Sequence, residues 1–107
     1  MRRMGSVIRL KPGKAAEYKR LHDEAAPEIL EAHRKYHYTN FSIFYKDDYL
    51  FSYLEYTGED WEADQRKMAE DPVMIRWRQI CRPLMEPLDT RAPGEWQAFM
   101  EMVFHLD

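Results

Sequence analysis

Tyr18 and His22 stand four residues apart in a run of helix formers, Lys14 to Ala26. On a helix that spacing places both on one face. An imidazole titrates at about pH 6.5, so His22 can give or take a proton near neutrality. A phenol beside it can donate a hydrogen bond and orient a hydroxylated ligand. The spacing is not specific, since a histidine hydrogen-bonded at a helix edge has the same signature. His33 and His37 are also four apart, as in a metal clasp on a continuous helix. However, Tyr36-His37-Tyr38 reads as a helix end, and no Cys or carboxylate completes a ligand set, so no metal is assigned. His105 alternates with Phe104 and Leu106 and would join a site only if its face met a cavity. Cys81 lies among Trp77, Arg78, Ile80 and Leu84 without a histidine partner and reads as a buried filler. The sequence has no Gly-rich phosphate loop, Ser-nucleophile elbow or paired-carboxylate motif.

These groups must be positioned by a small frame. At 107 residues, 33% charged and 45% hydrophobic, residues 1–107 form one domain with one core. A formal charge of −3 leaves no basic surplus for nucleic acid. Uninterrupted apolar runs are a few residues long, too short for a spanning helix or a secretory segment, which points to no membrane and a cytoplasmic location. One cysteine, Cys81, cannot form an internal disulfide, in keeping with a reducing compartment. Aromatics are abundant, at 14% of the chain. Flat rings stack on the apolar faces of a pyranose while Tyr, His and Arg satisfy its hydroxyls. The same tally suits a planar aromatic substrate.

Arg2 to Leu10 reads as a strand closed by Lys11-Pro12-Gly13. Tyr18, Leu21, Ala25 and Ile29 draw one helical stripe, with a kink expected at Pro27. Tyr38–Tyr45 and Tyr49–Tyr56 flank a turn at Lys46-Asp47-Asp48 and predict a hairpin. A helix follows Asp60 through Met68. Asp71 caps another, with Pro72 at its first position, running from Val73 to about Met85. Ala98 to Leu106 alternates as a last strand with Met100, Met102, Phe104 and Leu106 on one face. The order strand, helix, strand, strand, helix, strand is the α+β, ferredoxin-like βαββαβ arrangement: one antiparallel sheet with helices on one face. The other sheet face, rich in apolar residues, needs a partner, and a dimer closing two sheets face to face would bury it and create a cavity.

Several segments in order give the chain a resemblance to the L-rhamnose mutarotase family. They are Glu17-Tyr18-x-x-x-His22, Pro27-Glu28, Asn40-Phe41-Ser42-Ile43-Phe44, Arg76-Trp77-Arg78 and Glu101-Met102-Val103-Phe104-His105-Leu106. The resemblance runs nearly end to end. It implies a dimeric α+β barrel, a homodimer, and cofactor-free interconversion of the anomers of L-rhamnose or a related 6-deoxy sugar such as L-fucose. It further implies His22 as the catalytic proton donor, with Tyr18, Phe41, Trp77 and Arg78 binding the sugar. Four positions depart from the family's common residues: Phe41 replaces Tyr, Ala26 a Trp, Leu21 an Arg, and Arg78 a second Trp. A cofactor-independent monooxygenase on the same barrel, or a non-catalytic dimeric barrel, are the other functions such a frame could serve.

Overall fold

The computed structural model describes residues 1–107. Strand β1 (Arg2–Leu10) is followed by helices α1 (Ala15–Asp23) and α2 (Pro27–Lys35), then by the hairpin β2 (Tyr38–Lys46) and β3 (Tyr49–Tyr56). Helices α3 (Trp61–Glu70) and α4 (Pro72–Cys81) come next, then a 3₁₀ turn at Arg82–Leu84 and the short strands β4 (Met85–Glu86) and β5 (Ala98–Met100). The sheet order is β2-β3-β1-β4, with β5 also on β1, and every pairing is antiparallel. This is the expected ferredoxin-like arrangement, with each of its two helical segments divided in two.

Strand β1 is the axis of the frame. Its alternate residues Met4, Ser6, Ile8 and Leu10 are buried beneath the helices, as are Leu50, Leu54 and Tyr56 on β3. One core cluster gathers Met4, Ala32, Tyr36, Tyr38, Leu54, Tyr56, Met68 and Met74; a second gathers Ile8, Leu10, Tyr18, Leu50 and Leu84. The hairpin turns at Asp47 and Asp48, both left-handed with φ of 53° and 65°. That double left-handed geometry matches the twist of the flanking strands.

Pro27 does not kink a long helix as expected. The first helix stops at Asp23, Ala26 is extended, and Pro27 starts α2. A proline at a first helical position loses no hydrogen bond and brings a pre-set φ, so breaking the helix there is cheaper than bending it. Ala25 therefore leaves the helical stripe. The fourth helix also ends sooner than expected, at Cys81, where Pro83 leaves only a 3₁₀ turn. Its start is as read: Asp71 accepts from the Val73 amide at 2.9 Å, with Pro72 behind it.

The largest difference is at the C-terminus. Only Ala98–Met100 forms a strand, pairing with Val7, Ser6 and Gly5. Residues 101–107 run on without regular structure, and Met102, Val103, Phe104 and Leu106 are each more than half exposed. Alternation is equally suited to pairing within the protomer and to pairing with another chain; the β1 edge at Arg2–Met4 lies next along from the β5 register, yet the arm does not pair with it.

Asp64 ties the far end of the sheet to α3. Its Oδ2 accepts from the Tyr56 hydroxyl and lies 3.0 Å from His37 Nδ1. Both contacts hold its carboxyl below the usual range, the Tyr56 bond foremost. Gly58 packs over this group, and a Cβ there would meet the Tyr56 hydroxyl and stand 2.8 Å from Asp64 Oδ2. Gly58→Ala is therefore expected to lower unfolding stability by about 1–3 kcal/mol, from overpacking. Urea denaturation checks this, and a midpoint within error of the parent would contradict it.

Candidate active site

A cleft of about 1880 Å³ opens between the helices and the helix-facing side of the sheet. Its place differs from the expectation: it lies within one protomer, rather than between two sheets packed face to face. Ordinary small-molecule sites are about 300–1,000 Å³, so the cleft is roomy for a monosaccharide.

Tyr18 and His22 do share the inner face of α1. Their rings lie 4.1 Å apart, and the His22 ring meets the edge of Trp77 on α4 at 5.0 Å. His22 Nδ1 is 2.8 Å from the Tyr18 carbonyl oxygen. A carbonyl can only accept, so Nδ1 carries the hydrogen and Nε2 is left bare. Burial holds the imidazole below its ordinary pKa, opposed by that carbonyl bond and by Asp23. The resting ring is thus neutral at pH 7, with a lone pair at Nε2. Tyr18 is buried, and burial raises its phenol above the ordinary value, so it is a permanent donor.

Phe41 reaches the cleft through an irregularity in the hairpin. Tyr38 pairs with Tyr56 and Ile43 with Ser52, but the register shifts between Thr39 and Ser42, where Asn40 takes a φ of 46°. The extra residue turns Tyr38 and Phe41 to the same side, with ring centroids 5.5 Å apart. Redirecting a side chain is the usual consequence of a bulge. Asn40 donates to Glu55 Oε1 at 2.8 Å, which fixes the bulge.

His33 is in this cleft too. Its ring is 5.5 Å from Tyr38 and 5.4 Å from Phe41, and its Nδ1 lies 2.7 Å from the Ile29 carbonyl. It therefore repeats the arrangement of His22, with Nδ1 committed to a carbonyl and burial keeping the ring neutral. The four-residue spacing from His33 to His37 does not bring the two rings together. His37 lies beyond the end of α2, with φ of 70°, and bonds Asp64 on another wall. The signal that finds His33 was present: one more step of four along the stripe from Ile29 reaches it.

Arg78 projects from α4 into the same cleft, half-buried, and Tyr38 accepts from Gln65 at its rim at 3.0 Å. Leu21 packs under the second core cluster, and Ala26 sits in the extended link before Pro27. Cys81 is buried, with its thiol pushed up to about 11, which suits a filler and not a nucleophile. His105 is at the exposed C-terminus bonded to Asp107, away from the cleft lining. No group of three or more His, Cys, Asp or Glu side chains is placed to hold a metal ion.

Residues 3–106 match the L-rhamnose mutarotase family. The chain belongs to that family. Among its relatives, the L-rhamnose mutarotase of Listeria monocytogenes is 38% identical over 95 residues, covering 87% of this chain and 88% of the relative. That of Lactiplantibacillus plantarum is 34% identical over 109 residues, covering all of both chains. The crystal structure of the L-rhamnose mutarotase from Formosa agariphila superposes over the full length of both chains with a TM-score of 0.79 at 20% identity. Tetracenomycin F2 cyclase from Streptomyces glaucescens shares the fold at a TM-score of 0.68 and 15% identity. L-rhamnose mutarotases are isomerases, and the four departures from their common pattern now have locations. Phe41 and Arg78 face the cleft, Leu21 supports it, and Ala26 lies in the link that lets α2 begin.

Proposed function

We propose that the chain interconverts the α and β anomers of L-rhamnose, with His22 as the group that carries the proton. The observation behind this reading is the bare Nε2 of a neutral, half-buried His22, held between Tyr18 and Trp77 in an open cleft. Neutral Nε2 takes the proton of the anomeric hydroxyl. As the O1–H bond breaks, C1 and O1 form the aldehyde and the bond from C1 to the ring oxygen opens. The imidazolium then returns the same proton to the ring oxygen. Rotation about C1–C2 and the reverse sequence close the ring on either face of the aldehyde. One proton is moved and one C–O bond broken and remade, so the scheme requires no redox group.

The other residues hold the sugar. The Tyr18 hydroxyl makes no hydrogen bond within the protein and is free to donate to a sugar hydroxyl. Trp77 offers a stacking wall. Phe41 supplies an apolar surface at the mouth, and Arg78 donates to oxygens deeper in. Family membership favours this activity over a monooxygenase or a non-catalytic barrel. L-fucose, which has the same 6-deoxy pyranose chemistry, is the neighbouring substrate to try.

A homodimer and a cytoplasmic location complete the reading. Phe44 and Phe51 are cross-strand partners on the sheet face away from the helices, and both are exposed. Met100 continues that apolar face beside β1, and the exposed arm 101–107 leaves from its edge. A second copy would cover the face and receive the arm. No helix is long and apolar enough to cross a membrane, and the lone thiol of Cys81 suits a reducing compartment.

Saturation-exchange NMR on L-rhamnose tests the activity: addition of the protein should accelerate exchange between the two anomeric signals. The pH profile tests the base. Since burial lowers the His22 pKa, the rate should be flat from neutral pH upward and fall on the acid side, with a midpoint below about 6.5. A midpoint above that value would exclude neutral His22 as the proton acceptor.

A further inference from the structure

Three donors on cleft-lining residues have no acceptor within the protein. Arg78 on α4 and Arg82 in the following 3₁₀ turn are both half-buried, and neither makes a hydrogen bond through its side chain or an ion pair. They are four residues apart on one continuous helical path, since the Arg82 amide donates to the Arg78 carbonyl. Arg82 stacks on the ring of Trp96 at 4.6 Å. The indole N–H of Trp96, also a cleft residue, is buried without a partner.

The arrangement is unfavourable for the protein alone. Like charges at i and i+4 destabilise a helix, and partial burial weakens the water that would screen them. The cleft's own carboxylates are engaged elsewhere or stand apart. Asp23 bonds Lys19, and Glu95 Oε1 accepts from the Ala92 and Phe99 amides. Glu62 forms no ion pair. A guanidinium pair and an indole N–H lacking acceptors are the complement of a compact group with several anionic oxygens, which arginine binds in a bidentate manner.

We infer that the cleft accepts, beside a neutral 6-deoxy pyranose, a pyranose bearing an anionic group, a carboxylate or a phosphate, held by Arg78, Arg82 and the Trp96 indole N–H. The inference rests on His22 serving as the proton carrier, because the anionic sugar is anomerised by the same imidazole. Trp77 touches that imidazole, and the charges of Arg78 and His22 both act on His33 in the same cleft, so the sugar and anion sites adjoin. The anionic group lies away from the anomeric carbon, which must keep its free hydroxyl.

The test runs in two parts. First, inorganic phosphate and acetate are titrated against L-rhamnose exchange, with sodium chloride at matched ionic strength as the control. Competitive inhibition beyond the control, weakened at least tenfold in both Arg78→Met and Arg82→Met, is expected. Second, exchange is measured for D-galacturonate against D-galactose and for D-glucose 6-phosphate against D-glucose. The charged member of at least one pair should be accelerated more than its neutral partner, and the ratio should fall tenfold in either variant. The pair that responds distinguishes carboxylate from phosphate. The idea is overturned if L-rhamnose is exchanged but no anion competes beyond the control, or if the variants are inhibited as strongly as the parent. Failure to exchange any sugar would count against the mutarotase reading instead. In that event, arginine Nε–H NMR shifts on adding phosphate still decide the anion site, since shifts at Arg78 and Arg82 support it and their absence sinks it.

Discussion

His22→Gln is expected to slow anomer exchange of L-rhamnose by about 10²–10⁴-fold, the range typical for loss of a positioned acid–base group. Glutamine keeps much of the length and hydrogen-bonding capacity of histidine but cannot carry a proton at neutral pH. The effect should appear in kcat more than in KM, because binding falls to Tyr18, Trp77, Phe41 and Arg78, while proton transfer belongs to the transition state. Folding should be little affected: the ring lies at the cleft edge, and the core beneath is Tyr18, Leu10 and Leu84. Circular dichroism separates a lost fold from a lost proton carrier. Tyr18→Phe makes the companion measurement, since removing one donor hydroxyl should cost much less than removing the imidazole. Parent-like exchange by the His22→Gln protein would refute the mechanism.

Ending the chain at Met100 is expected to raise the dimer dissociation constant at least about a hundredfold. The removed arm carries Met102, Val103, Phe104 and Leu106, all largely exposed in the single protomer. Burying a side chain such as Phe or Leu contributes roughly 1.5–3 kcal/mol, and every 1.4 kcal/mol is a factor of ten in affinity. Two such side chains on each partner therefore suffice. The truncated protomer should still fold, because residues 101–107 form no strand or helix and add only peripheral polar contacts such as Arg3 with Asp107. Sedimentation of both forms at micromolar concentration checks the outcome. A monomeric full-length chain, or a truncated chain that remains dimeric, would show that the arm serves some other purpose.

Several features were set by residues near one another in the chain. Helix geometry alone puts Tyr18 and His22 on one face, so their 4.1 Å ring contact was readable from spacing. The cap at Asp71-Pro72 and the hairpin about Asp47-Asp48 were likewise local decisions, made by residues next to one another. The element order followed from these, and with it the sheet.

Other features depend on contacts between distant residues. Pro27 is compatible with a kinked helix or with a fresh helix start, and the packing of α2 chose the second. Strict alternation along β2 would put Tyr38 and Phe41 on opposite faces. The bulge unites them against His33, and no short-range signal marks its position. His33 and Arg82 enter the cleft because helices that are separate in sequence converge over one sheet face. The C-terminal arm shows the limit most clearly, since alternation records that a segment suits a strand but not which chain provides its neighbour.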